Sequence, residues 1–188
     1  MAMTLKAVAP LDAEAALPMK LLMQHLKDPE GEDLIVASAR TGALDWLEKR
    51  VGISLTRRSW RATYTDLTPH ERAIGLPMGP ASIDAITYSR LGVAPQVWPA
   101  ASYFFDGIDL RTTSGISMFA AFGDLTVTID YQAGYLDLGA EEPALQTAAL
   151  LLAGHFYRNR EENTAAALAS MPFGVEMLIG DIRTPVMA

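Results

Sequence analysis

One run of residues constrains this chain more than any other: Ala144–Tyr157, ALQTAALLLAGHFY. Its length and freedom from breakers predict a helix. It is apolar nearly all round, so that helix must be buried on more than one side. Ala148, Ala149, Ala153 and Gly154 let neighbouring backbones come close. The run stops at a charged collar, His155-Phe156-Tyr157-Arg158-Asn159-Arg160-Glu161-Glu162. A small-residue loop follows, then Met171-Pro172-Phe173-Gly174-Val175 and a second, short helix. This is the design of a central packing element rather than of a catalytic pocket.

The rest of the chain must supply partners for that helix. Residues 1–11 read as an extended arm. Asp12 stands where it would cap a helix running to about Lys27, with Ala16, Met19, Leu22, Met23 and Leu26 as its stripe. Pro18 lies inside the stripe and suits a first turn, which puts the start nearer Leu17. The acidic break Asp28-Pro29-Glu30-Gly31-Glu32-Asp33 suits the positive end of a following helix. That helix is expected over about Glu32–Val51, with Ile35, Ala39, Ala43, Trp46 and Leu47 on one face and Gly52 as its stop. The short loop between the two predicts an antiparallel hairpin.

The period then changes from 3.6 to 2. Across Ser54–Thr65, Thr56, Arg58, Trp60, Ala62 and Tyr64 share one face, and Leu55, Arg57, Ser59, Arg61 and Thr63 the other, which predicts a strand. Asp66–Gly75 reads as a polar turn region, Leu76–Pro80 as a rigid linker and Leu91–Ala101 as loop. Further strands are expected at Ala81–Arg90, on both sides of the turn signal Asp106-Gly107, and at Asp124–Tyr131. Strands are thus confined to about 53–131. Gly134 and Gly139 bracket the loop that leads to the long helix, expected near 143–160 with Pro143 in its first turn. The fold class is α+β. N- and C-terminal helices (about 12–52 and 141–183) form a bundle, with a β-rich middle insertion (about 53–135), in a single domain of 188 residues.

Composition excludes several functions. There is no cysteine, so disulfides, thiolate nucleophiles and thiolate metal sites are impossible. A net charge of −7 argues against a sequence-specific nucleic-acid binder, which is normally basic. An acidic surface can still face DNA without gripping it, although plain solubility accounts for it too. No stretch reaches the roughly 18 apolar residues of a membrane span. The first twenty residues lack the basic and apolar regions of a signal peptide.

No catalytic spacing stands out. His155 pairs poorly with Glu161 or Glu162, which lie six and seven residues on and are misplaced on a helix. There is no HExxH, GxSxG, GxGxxG or Walker loop. The acids around Asp28 lack the glycine and distal glutamate of a calcium loop, so helix capping explains them better. Arg57, Arg58 and Arg61 beside Trp60 look like a nucleic-acid surface, but alternation splits them between two faces. Edge-strand protection or a salt-bridged subunit interface is the plainer reading.

Several pieces in order resemble the head–tail connector (adaptor) proteins of long-tailed phages and phage-like gene-transfer particles. They are Gly52, Leu55 and Trp60 at the exit of the second helix, Leu76–Tyr88, and Ile129–Tyr135. Ala153–Glu161, Met171–Val175, Leu178 and Arg183 complete the set. Departures lie at Arg90–Gln96, at Thr112–Phe122 and near Gly42, where the second helix is shortened. The resemblance implies a structural virion protein without catalysis or cofactor, assembled in the bacterial host cytoplasm. It implies a dodecameric ring beneath the portal that extends the DNA channel. The implied partners are the portal protein, the next connector or tail component, other copies of the chain, and double-stranded DNA passing without sequence-specific contact; no membrane is involved. Arg183, Pro185, Val186 and Met187 are then expected to dock on the portal. Trp98, Phe104, Phe105, Arg158 and Arg160 are expected at portal or subunit interfaces. The alternatives are another virion ring protein, such as a tail-completion protein, or a small enzyme, for instance a hydrolase using His155 and Asp137.

Overall fold

The computed structural model describes residues 2–65, 73–90, 94–113, 125–159, 173–180 and 182. The fold is α+β. The chain forms two compact units, one from Met1–Pro10 and Arg57–Gly134, the other from Leu11–Thr56 and Tyr135–Ala188.

The second unit is helical: α1 (Ala13–Ala16), α2 (Met19–His25), α3 (Asp33–Val51), α4 (Leu138–Glu141), α5 (Pro143–Arg158) and α6 (Phe173–Gly180). Asp12 caps α1, its Oδ1 accepting the N–H groups of Glu14 and Ala15 at 3.0 Å each. The single helix expected to Lys27 is two helices. Proline disfavours helical backbone in the residue before it, and Leu17 is extended (φ −143°, ψ 96°), so α2 starts afresh after Pro18. Lys27 and Asp28 then turn the chain with φ of 65° and 49°. Helix α3 runs unbroken through Gly42 and ends at Gly52, whose φ of 71° suits glycine.

The buried face of α3 is rotated from the expected one. A stripe through Ala43 and Leu47 passes through Val36, which is buried, and misses Ile35, which is 40% exposed. Helix α5 buries Leu145, Ala148, Ala149, Leu152, Ala153 and Gly154 and packs against α2, α3, α4 and α6. This is the many-sided burial its composition demands. The one-turn helix α4, capped by Asp137 through the Ala140 N–H (3.1 Å), falls in the stretch read as loop.

The first unit holds two antiparallel sheets. The larger has the order β1-β2-β8-β4-β5, from β1 (Ala2–Ala7), β2 (Arg58–Thr65), β4 (Pro80–Arg90), β5 (Gln96–Val97) and β8 (Leu125–Ala133). The smaller has the order β3-β7-β6, from β3 (Ala73–Gly75), β6 (Tyr103–Phe105) and β7 (Asp109–Thr112). Strands are therefore not confined to 53–131. The arm is β1, six residues paired in regular register with β2, because β2 offers it a free ladder of backbone groups. For the same reason β2 is not an edge strand: β8 flanks its other side. Its alternation is as expected, with Arg58, Trp60, Ala62 and Tyr64 buried. Burial raises the pKa of the Tyr64 and Tyr131 hydroxyls. These hydroxyls donate to the carbonyls of Gly75 (2.8 Å) and Pro77 (3.1 Å), tying β2 to the end of β3 and β8 to the segment after it.

Candidate functional site

The residues expected to carry chemistry are engaged in structure. The His155 ring bonds to the Asn159 side-chain amide (3.0 Å), one turn on along α5, and Asp137 is occupied as the α4 cap. Glu32, from the acidic break, accepts the Tyr157 hydroxyl, an anchor between the start of α3 and the end of α5. Among the described residues no three His, Asp or Glu side chains lie close enough together to hold a metal ion. Nor is any helix among them long and apolar enough to cross a membrane.

The arginine cluster is likewise committed. Arg58 is buried, its guanidinium 4.6 Å from the centre of the Trp60 ring. Arg61 grips Asp130, directly opposite on β8, with both carboxylate oxygens at 2.6 and 2.9 Å. That hydrogen bond holds the Arg61 pKa above its ordinary value. Only Arg57 of the three is exposed without a described ion pair, so no basic stripe forms here.

The hairpin β6–β7 is the best-built exposed feature of the sheet unit. Asp106 Oδ1 accepts the N–H groups of Ile108 (3.0 Å) and Asp109 (2.7 Å), which closes the turn. Those two bonds, aided by Arg111, hold the Asp106 carboxyl below the usual range. Arg111 bridges Asp106 and Asp109, at 3.0 Å each. Gly107, at φ 100°, gives the turn the backbone that the Asp-Gly pair announces. Phe104 sits opposite Arg111 and is 47% exposed, and Ile108 at the tip is more exposed still.

The structure sorts the expected interface residues. Trp98 is half-buried, edge-on to the Tyr88 ring (centroids 5.2 Å apart), and its backbone N–H donates to the Ile86 carbonyl at 2.7 Å. Phe105 also packs on the sheet core, so neither it nor Trp98 is a freely displayed anchor. Phe104 is displayed, and so is Arg158. Arg160, Arg183, Pro185, Val186 and Met187 lie outside the described residues. Sequence reasoning passed over several exposed apolar side chains, Ile108, Val97, Leu34, Leu136 and Met3 among them. An isoleucine directly after an Asp-Gly turn was the one available signal, because a turn tip has no core to face.

No protein-family model matches this sequence, and no curated protein matches it. The fold, however, matches chains in solved structures of gene transfer agent (GTA) particles. A chain in the neck of an empty GTA particle, computed with C6 symmetry, has a TM-score of 0.78 at 24% identity. A chain in the virion of the native GTA particle has a TM-score of 0.77 at 24% identity. A chain in the neck of the native particle, computed with C12 symmetry, has a TM-score of 0.76 at 23% identity. Each match covers 98% of this chain and 97% of the other, so both units of this protein have the fold of those chains from end to end.

Proposed function

We propose that the chain is a structural protein of the neck of a phage-like gene-transfer particle or tailed phage. In this reading it is a head–tail connector (adaptor) subunit. It assembles into a ring beneath the portal, prolongs the DNA channel and presents a surface to the next connector or tail component. The observation that carries the reading is the two-sided match to neck chains, with 98% of this chain and 97% of the other aligned. The C12 symmetry of one neck structure supports a twelve-membered ring. The sequence resemblance, from Gly52 to Arg183, supports the same assignment by a separate route.

The work of such a protein is assembly. Subunits join the portal after packaging, and buried apolar contacts hold the ring. Phe104, Ile108 and the apolar tail Pro185-Val186-Met187 are the side chains offered for those contacts. A net charge of −7 repels phosphate and leaves DNA free to slide. The test is a pull-down with the portal protein of the same gene cluster, together with mass spectrometry of purified particles. Capture of the portal and presence in the particles is the expected result. Absence of the chain from purified particles would overturn it.

A further inference from the structure

The two edges of the five-stranded sheet are built differently. At the β4–β5 edge the ladder between β4 and β8 is broken by register shifts at Pro80/Ser82 and Ile83/Ala85. The short β5 covers Thr87 and Tyr88, the Tyr88 hydroxyl donates to Gln96 Oε1 (2.6 Å), and Trp98 packs on the Tyr88 ring. Bulges and a covering segment are two of the devices by which sheets prevent further strand addition, edge charge being another.

Among the described residues the β1 edge has neither bulge nor covering segment. Its six residues, AMTLKA, pair with β2 without a bulge and contain no proline, and Lys6 is the one charge. The Val8 N–H donates to Ser59 O (2.9 Å), so by strand alternation Ala2, Thr4, Lys6 and Val8 turn their backbone groups to β2. The backbone N–H and C=O groups of Met3, Leu5 and Ala7 therefore point to the open side. Their side chains share the core face with Tyr64, Ala62 and Trp60, yet Met3 is 46% exposed and Leu5 and Ala7 are only half-buried. The hydrophobic core thus runs out to this edge, and no described residue closes it there.

We infer that the β1 edge is completed by an extended segment of the adjacent copy of this chain. This rests on the ring reading above. A cyclic ring needs a head-to-tail joint, in which two different surfaces meet. Pairing of β1 with another β1 is two-fold and stops at a dimer, so the incoming segment is a different part of the neighbour. Charge favours a second copy: β1 carries a cation and no carboxylate, while the chain as a whole carries −7. The added strand bonds to the Met3, Leu5 and Ala7 backbone and covers their side chains, as in recognition by strand addition generally.

The experiment places a photo-reactive benzoylphenylalanine at position 3 of the full chain, in assembled particles. Mass spectrometry then identifies the cross-linked peptide. A peptide of this same chain, joined between copies, is expected. A cross-link to another particle protein, or none, overturns the inference while leaving the neck assignment standing. Absence of the chain from particles removes both. Met3→Pro gives a second readout, since it deletes only an outward N–H and spares the pairs with β2. The variant should fold, by circular dichroism, but lose the inter-copy joint, whereas Met3→Val, which keeps the N–H, should retain it. Normal ring formation by folded Met3→Pro would overturn the inference. Should Met3→Pro fail to fold, the cross-linked peptide decides alone.

Discussion

The helical and sheet units bury different chemistry. The apolar core of the helical unit is aliphatic among the described residues: leucine, alanine, valine and isoleucine. Aromatic rings such as Trp46, Phe156 and Tyr157 stand at its rim. The sheet core instead buries Trp60, Tyr64 and Tyr131, and two of those rings carry a hydroxyl that ends on a backbone carbonyl. Inside a helix the backbone satisfies itself, so the helical unit needs polar fixings only at helix ends and connections, where Glu48 accepts the Leu55 N–H (3.0 Å) and Ser54 donates to the Thr56 carbonyl (2.9 Å). A sheet with irregular segments beside it leaves carbonyls over, and long phenols reach them. The first core takes its hydrogen bonds from polar residues at helix ends, the second from hydroxyls carried on its own core rings.

Substitutions can break that contrast. The largest effect is expected at Leu152, fully buried at the centre of α5. Leu152→Ala should cost about 3 kcal/mol, through lost burial and the cavity left behind. Urea unfolding measures it, and a loss under about 1 kcal/mol would mean that this core collapses around the gap and is loosely packed. Tyr131→Phe comes next. It keeps the ring and strands the Pro77 carbonyl, for an expected loss of about 1 kcal/mol. If Tyr131→Phe proves neutral, the hydroxyl does not distinguish the sheet core, and shape alone holds both. The smallest effect is a gain. Gly42 lies inside α3 with ordinary helical backbone, and a Cβ there would meet the Phe156 ring at 3.5 Å, a normal contact. Gly42→Ala should stabilise by about 0.5–1 kcal/mol. A loss would show that α5 needs closer approach to α3 than the Phe156 contact indicates.

Much of the helical unit was legible because its signals are local. Asp12, Gly52 and Pro143 mark ends by their own backbone chemistry, and the run from Ala144 advertises burial without reference to any partner. The inward face of β2 was legible for the same reason, since alternation belongs to one strand. What could not be read depends on partners. Nothing in Ala2–Ala7 distinguishes a strand from a loose arm until β2 is known to have a vacant side. Ile35 and Val36 are equivalent by composition, and only the packing of α3 chose between them. For the candidate site, the Asp-Gly turn predicted a hairpin, but the separation of displayed Phe104 from packed Phe105 and Trp98 needed the register.

The place of β8 in the chain has a consequence for how the protein is made. This strand lies between β2 and β4 and bonds to both, yet it is the last strand of the sheet to be synthesised. A growing chain that has reached β7 can pair β2 with β1, but β2 and β4 have no strand between them, and Trp60 and Tyr64 lack the β8 side of their core. Exposed apolar strands with unpaired edges are what invite aggregation during folding. Between the emergence of Arg58 and that of Ala133, the facing edges of β2 and β4 wait for the strand that closes them.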